Sequence, residues 1–193
     1  MYVKSVLFSC LFFVLFLSSC GPEVQDDFND VQFELTDQNG NQIIFPDDLK
    51  GSPVVMGFIY TNCPDICSFI TANLKNIHDG MEDPENVQFV AVTFDPERDT
   101  PGVLKNYAEA FDMNRPPFHF LTGNPDVIES FMDRVGVRKQ ISYTKELENG
   151  EELYFINHSD KILLLNESAQ QIMDYGGSMT KPVIVIEDLN KLL

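Results

Sequence analysis

A continuous apolar run, PVVMGFIY (53–60), and a second largely apolar stretch, VQFVAVTF (87–94), stand out in the polarity pattern of the chain. Runs of this length, rich in β-branched residues and bounded by polar segments, predict strands buried on both faces, as in a parallel sheet covered by helices. Behind the first, SFITANLKNIHDGM places Phe69 or Ile70, Leu74 and Ile77 at helical spacing. Behind the second, DPERDTP leads into GVLKNYAEAF, with Thr100 as N-cap and Pro101 as first helical residue. FHFLTG (118–123) reads as a strand, and NPDVIESFMDRVGV as a helix opened by Asn124 and Pro125 and stopped at Gly136. Upstream, VQFEL (31–35) and IIF (43–45) flank TDQNGNQ, whose Asn-Gly signal predicts a hairpin. Downstream, the polar segment 138–154 predicts a loose hairpin, KILLLN (161–166) and QQIMDYGG a strand pair, and the tail from Lys181 a helix.

Strand, helix, strand, helix in succession requires parallel pairing, and the late strand pair adds antiparallel edges. The order is that of an α/β thioredoxin-like sandwich with a central mixed sheet and an N-terminal hairpin. Composition agrees with one folded unit: 193 residues, 44% hydrophobic, with 16 phenylalanines and no tryptophan. The formal net charge of −17, from 13 basic and 30 acidic side chains, repels phosphate backbones and excludes nucleic acid as a partner.

The first twenty residues do not fit that fold. Lys4 precedes an apolar run from Val6 to Leu17, too short to span a bilayer, and LSSC ends at Cys20. This outlines an export signal, and LSSC resembles the bacterial lipobox, which implies cleavage before Cys20 and lipidation of its sulfur. The expected organisation is a lipoprotein signal over 1–19, a polar tether over 20–29 and the domain over 30–193. The expected location is the extracytoplasmic, periplasmic side of a membrane, held there by the lipid.

With Cys10 lost and Cys20 acylated, Cys63 and Cys67 in TNCPDICSF remain. A loop this short makes a weak staple, so their proximity calls for chemistry. With Cys63 as N-cap and Pro64 as the first helical residue, both sulfurs share one helix face, with α-carbons about 6 Å apart, and the helix dipole favours a Cys63 thiolate. A redox couple and a metal site are both open. The spacing is one residue wider than the Cys-x-x-Cys of thioredoxin-type oxidoreductases, and soft thiolates select Cu(I), zinc or iron–sulfur.

Two sulfurs need a further ligand, and three histidines are present. His158 is the strongest candidate, because a thioredoxin-like fold brings its late loop against the cysteine helix. His78, near the end of that helix, reads as a complement to the dipole, and His119 as a packing or surface residue. Met56, Met81, Met113, Met132, Met173 and Met179 read as core filler. Asp95, Glu97, Arg98 and Asp99 read as capping the next helix and pairing with one another, with Asp95 at the strand end where open α/β sheets place their sites. Asp65 reads as a first-turn complement to the dipole.

GFIYTNCPDICSF, VTFDPERDTPGVLKNYAEAF, FLTG and NHSDKILLLN occur in the order and spacing of the SCO/SenC family of copper-handling proteins, which the chain resembles over roughly 28–193. The resemblance implies one copper ion, Cu(I) or Cu(II), held by Cys63, Cys67 and His158. It implies a role in assembling the binuclear copper centre of cytochrome c oxidase subunit II or a similar acceptor, by delivering copper, by reducing the acceptor's cysteines with the Cys63–Cys67 pair, or both. A thiol–disulfide oxidoreductase, with copper incidental, is the alternative, and a redox or copper sensor a third reading. The sequence departs from the family pattern at Ser68, where proline is frequent, at Asn157, where aspartate is frequent, and in the variable segment 138–154. Asn157 removes a carboxylate that would otherwise stand beside the imidazole.

Overall fold

A computed structural model of the chain describes residues 22–64, 66–146 and 152–193. The expected export signal, the expected lipidation position Cys20, and Asp65 lie outside the described residues. Among the described residues the main sheet has eight strands: β1 (Asp26–Asp27), β2 (Phe33–Asp37), β3 (Gln42–Phe45), β4 (Val54–Ile59), β5 (Gln88–Thr93), β6 (Phe118–Thr122), β9 (Ile162–Leu165) and β10 (Gln170–Tyr175). Their spatial order is β1-β10-β9-β4-β5-β6-β2-β3. The helices are α1 (Cys67–Asp79), α2 (Pro101–Ala110), α3 (Pro125–Arg134) and α4 (Pro182–Leu189). A second, two-stranded sheet holds β7 (Lys139–Glu146) and β8 (Glu152–His158).

The pairing follows from the polarity pattern. β4, β5 and β6 run parallel, connected through α1 and α2, and every residue of β4 is buried. β9, with four consecutive buried residues, pairs antiparallel with β4. The N-terminal hairpin closes the opposite side of the sheet, where β2 pairs antiparallel with β6. Thr100 and Asn124 cap α2 and α3 with their side chains, each ahead of a proline. The result is the thioredoxin-like mixed α/β sandwich that the element order predicts.

Two boundaries differ from the sequence expectation. Residues 25–28, assigned by composition to the tether, are docked: β1 pairs with β10, and the Phe28 ring is fully buried against Phe45. Arg134 fixes this segment by bonding Asp26 and the Asp27 carbonyl. Within and beyond the polar stretch, Lys139–Glu146 and Glu152–His158 pair antiparallel, with a register shift between Ile141 and Tyr143, so His158 ends a strand.

Helix α1 lies tight on β4. A Cβ built on Gly57 would stand 2.8 Å from Ile70 Cγ2 and 3.3 Å from Leu74 Cδ1. Gly57→Val is therefore expected to push α1 off the sheet and destabilise the fold by about 1–3 kcal/mol, the usual cost of overpacking. Urea unfolding measures it, and an unchanged midpoint would contradict this packing.

Candidate metal centre

The strand β4 ends at Ile59 and the chain turns at once: the Cys63 N–H donates to the Tyr60 carbonyl at 3.3 Å. That turn is held from outside. The fully buried carboxylate of Asp99 accepts from Thr61 N–H at 3.0 Å, from Thr61 Oγ1 and from Thr93 Oγ1 at 2.6 Å. Burial raises the Asp99 pKa, against the three donors that favour its charged form.

Closing this turn keeps Cys63 out of the helix. The N-cap position of α1 is Ile66, and Cys67 is its first residue. The expectation that Cys63 caps the helix, with Pro64 as the first helical residue and both sulfurs on one helical face, is thus corrected: Cys63 stands in the preceding loop. The positive end of the helix dipole falls on Cys67 instead.

Cys67 is buried and Cys63 half-buried, and no disulfide joins them. Hydrogen bonding with Cys63, followed by burial, pushes the Cys67 thiol well above the ordinary cysteine range. The Cys67 carbonyl accepts from Thr71 Oγ1, whose hydroxyl also meets Tyr107 Oη, so the head of α1 is tied to α2.

The third group arrives from the far end of the sequence. His158 closes β8, ninety-one residues after Cys67, and its Nε2 lies 3.4 Å from Cys67 Sγ. Its Nδ1 lies 2.8 Å from the Ser159 carbonyl. A carbonyl only accepts, so Nδ1 carries the proton and Nε2 keeps its lone pair facing the sulfur. The ring packs on Phe94, with centroids 4.4 Å apart, and stands edge-on to Tyr60. The ligand atoms of Cys63, Cys67 and His158 all lie within 4.8 Å of one another. They face a groove of ≈ 290 Å³ lined by Tyr60, Pro64, Ile66 and Phe155 among others.

Two thiol sulfurs and one imidazole nitrogen, converging from three segments on one open side, match the softness of Cu(I) or zinc. With the sulfurs this close, a small movement would also join them as a disulfide. Asn157 is exposed, and the Nδ1 side of the imidazole is met by the Ser159 backbone carbonyl.

The other histidines are elsewhere. His78 is the penultimate residue of α1, buried between Phe89 and Phe118, with Nδ1 2.8 Å from Asp79. It belongs to the core more than to the helix dipole. His119 on β6 meets Gln88 at 2.8 Å. Met56, Met113 and Met132 fill the core, whereas Met179 is 84% exposed.

Sequence reasoning missed what supports the site. Asp99 and Tyr60 hold the cysteine loop and the hairpin, and the only local signals were an aspartate in DPERDTP and a tyrosine closing an apolar run. The expected acidic cluster is half right: Asp95 and Arg98 pair, but Asp99 reaches back to Thr61. Asp99→Ala is expected to leave Thr61 N–H and Thr93 Oγ1 without their acceptor, at about 1–3 kcal/mol per stranded group. Thermal unfolding tests this, and an unchanged transition would contradict it.

Comparison with known proteins places these features. The family model described as SCO1/SenC matches residues 23–193. The SCO2-like protein of Rickettsia prowazekii (strain Madrid E) is 33% identical over 145 residues, covering 74% of this chain and 67% of that protein. The structure of Bradyrhizobium japonicum ScoI with copper bound superposes with a TM-score of 0.68 at 29% identity, over 84% of this chain and 98% of the other. A SCO1/SenC family lipoprotein from Bacillus anthracis str. Ames gives a TM-score of 0.71 at 27% identity, over 89% and 96%.

Proposed function

Because the chain belongs to the SCO1/SenC family, we propose that it binds one copper ion through Cys63 Sγ, Cys67 Sγ and His158 Nε2. We propose further that it serves assembly of an exported copper centre, the binuclear centre of cytochrome c oxidase subunit II or a similar acceptor. The observation that carries this is the convergence of the three donor atoms within 4.8 Å, with the imidazole already in the metal-binding tautomer. The copper-bound structure of the Bradyrhizobium japonicum relative supports it. Cu(I) is well served by two thiolates and an imidazole, and a site open to a groove passes its ion on by ligand exchange.

The same sulfurs support a second reading, a thiol–disulfide oxidoreductase. Cys63, the more accessible sulfur, attacks an acceptor disulfide and forms a mixed disulfide, releasing one acceptor thiol. Cys67 then displaces the second, so the acceptor gains two electrons and the pair becomes a disulfide. In either role the disulfide form cannot hold the ion, which couples copper loading to redox state.

Titrating the reduced full chain with Cu(I) and Cu(II) is expected to give one ion per chain, and oxidation of Cys63–Cys67 is expected to expel it. Absence of binding in the reduced protein would remove the copper reading. Ready exchange of Cys63 and Cys67 with a protein disulfide that persists in His158→Ala would favour the oxidoreductase.

For location, the lipobox-like LSSC and the short apolar run support a lipid anchor at Cys20 on the extracytoplasmic side. Mass spectrometry of the N-terminal peptide from native membranes is expected to find an acylated Cys20, and an unmodified one would remove the anchor.

A further inference from the structure

His158 stands on a hairpin that is not part of the main sheet. Among the described residues β7 and β8 pair only with each other. A cavity of ≈ 490 Å³, lined in part by Phe94, Glu97, Glu129, Lys139, Ile141 and Tyr154, lies where the hairpin meets the body, beside the contact that buries Ile156. The position of the imidazole therefore depends on a few side-chain ties.

Those ties fall on alternate residues of β8. Tyr154, Ile156 and His158 share the face that period-two alternation turns inward. Ile156 N–H donates to Tyr60 Oη at 3.2 Å, at the end of β4. Tyr154 Oη donates at 2.7 Å to Oδ1 of Asp95, a buried carboxylate just past β5. Arg98 closes the arrangement: Nε donates to Asp95 Oδ2, and Nη1 donates to the Tyr154 carbonyl at 3.1 Å. Its guanidinium carbon lies 3.5 Å from the centroid of the Tyr154 ring and 5.8 Å from that of Tyr60. A planar fork that bonds along its edges while stacking on its face is a task for arginine, which lysine does not perform. Nη2, buried without a hydrogen-bond partner among the described residues, fits a group held by stacking. Lys139 Nζ adds two ties from β7, to the Phe94 carbonyl at 3.0 Å and to the Glu129 carboxylate of α3 at 2.7 Å.

We propose that Asp95, Arg98 and Tyr154 form a clamp that positions His158 and thereby sets the preference of the site between Cu(II) and Cu(I). The proposal rests on the copper reading above. Its physical basis is a difference in ligand demand. Two thiolates satisfy much of what Cu(I) requires, whereas Cu(II) gains more from a fixed nitrogen donor. A hairpin free to swing lowers the effective concentration of the imidazole at the sulfurs, and Cu(II) loses more by it.

The test compares Arg98→Lys and Tyr154→Phe with the unaltered full chain, by competition titration with Cu(I) and with Cu(II). The expected result is a Cu(II) affinity lower by about tenfold or more, in line with outer-shell partners elsewhere, and a Cu(I) affinity changed by less than about threefold. Each tenfold change in that ratio raises the one-electron copper potential by about 59 mV. In a His158→Ala background, Tyr154→Phe is expected to have no further effect on Cu(II). Equal losses for both ions, or an effect that persists without His158, would overturn the proposal and leave a purely structural contact.

A second measurement separates the clamp from the copper reading. In the metal-free protein the Ile156 amide is expected to exchange with solvent faster in Tyr154→Phe than in the unaltered chain, because its bond to Tyr60 opens with the hairpin. Unchanged exchange would overturn the clamp. An unaltered chain that fails to bind copper would overturn the metal reading and with it the valence preference, while Ile156 exchange would still decide whether the clamp holds the hairpin.

Discussion

Cys67→Ser is expected to remove tight copper binding. The residue begins α1, is buried, and presents its sulfur between Cys63 and His158 Nε2. A serine oxygen is hard, stays protonated near neutral pH and is a poor ligand for Cu(I). Loss of outer-shell partners alone weakens metal sites by about 10–100-fold, so loss of a thiolate should exceed about 100-fold. The fold should survive, because the hydroxyl keeps His158 Nε2 within reach as an acceptor and its net cost is about 1 kcal/mol or less. Competition titration with thermal unfolding separates the two effects, and a variant that binds as tightly as the original would sink the assignment. The same variant bears on the oxidoreductase reading. Without Cys67 to resolve it, a mixed disulfide at Cys63 should accumulate and be visible by mass after incubation with a disulfide-bonded acceptor.

His158→Ala should weaken Cu(II) binding by more than it weakens Cu(I), and should erase nitrogen hyperfine structure from the Cu(II) resonance spectrum. The reason lies in the geometry. The Ser159 carbonyl fixes the tautomer and the Phe94 ring fixes the plane, so the nitrogen is supplied already oriented. Such a ligand carries little ordering cost, and its loss is felt in full. Cu(I), left with two thiolates, retains a workable site. Unchanged Cu(II) affinity with persistent nitrogen coupling would mean that His158 is not a ligand.

The parts of the fold visible in the sequence are those determined locally. Buried β4 and β5 appear as apolar runs, the starts of α2 and α3 as Thr100-Pro101 and Asn124-Pro125, and the first hairpin as Asn39-Gly40. The sequence pattern starts α1 too early because the proline after Cys63 mimics a helix opening. What overrides that signal is a turn held by Asp99, from beyond the next strand. Likewise, the charged residues of DPERDTP give no sign that one serves the cysteine loop and two hold the hairpin.

By itself the sequence determined the kinds of donor atom, the strand–helix order and, through four spaced motifs, the family. These follow from residue identity and from patterns a few residues long. His158 was named from the expected fold and the resemblance, but the 3.4 Å approach of its Nε2 to Cys67 Sγ across ninety-one residues is a product of tertiary structure. Strand β9 pairs beside β4 and the hairpin preceding it folds over the end of β5, and both placements come from long-range burial and hydrogen bonding that no local pattern records.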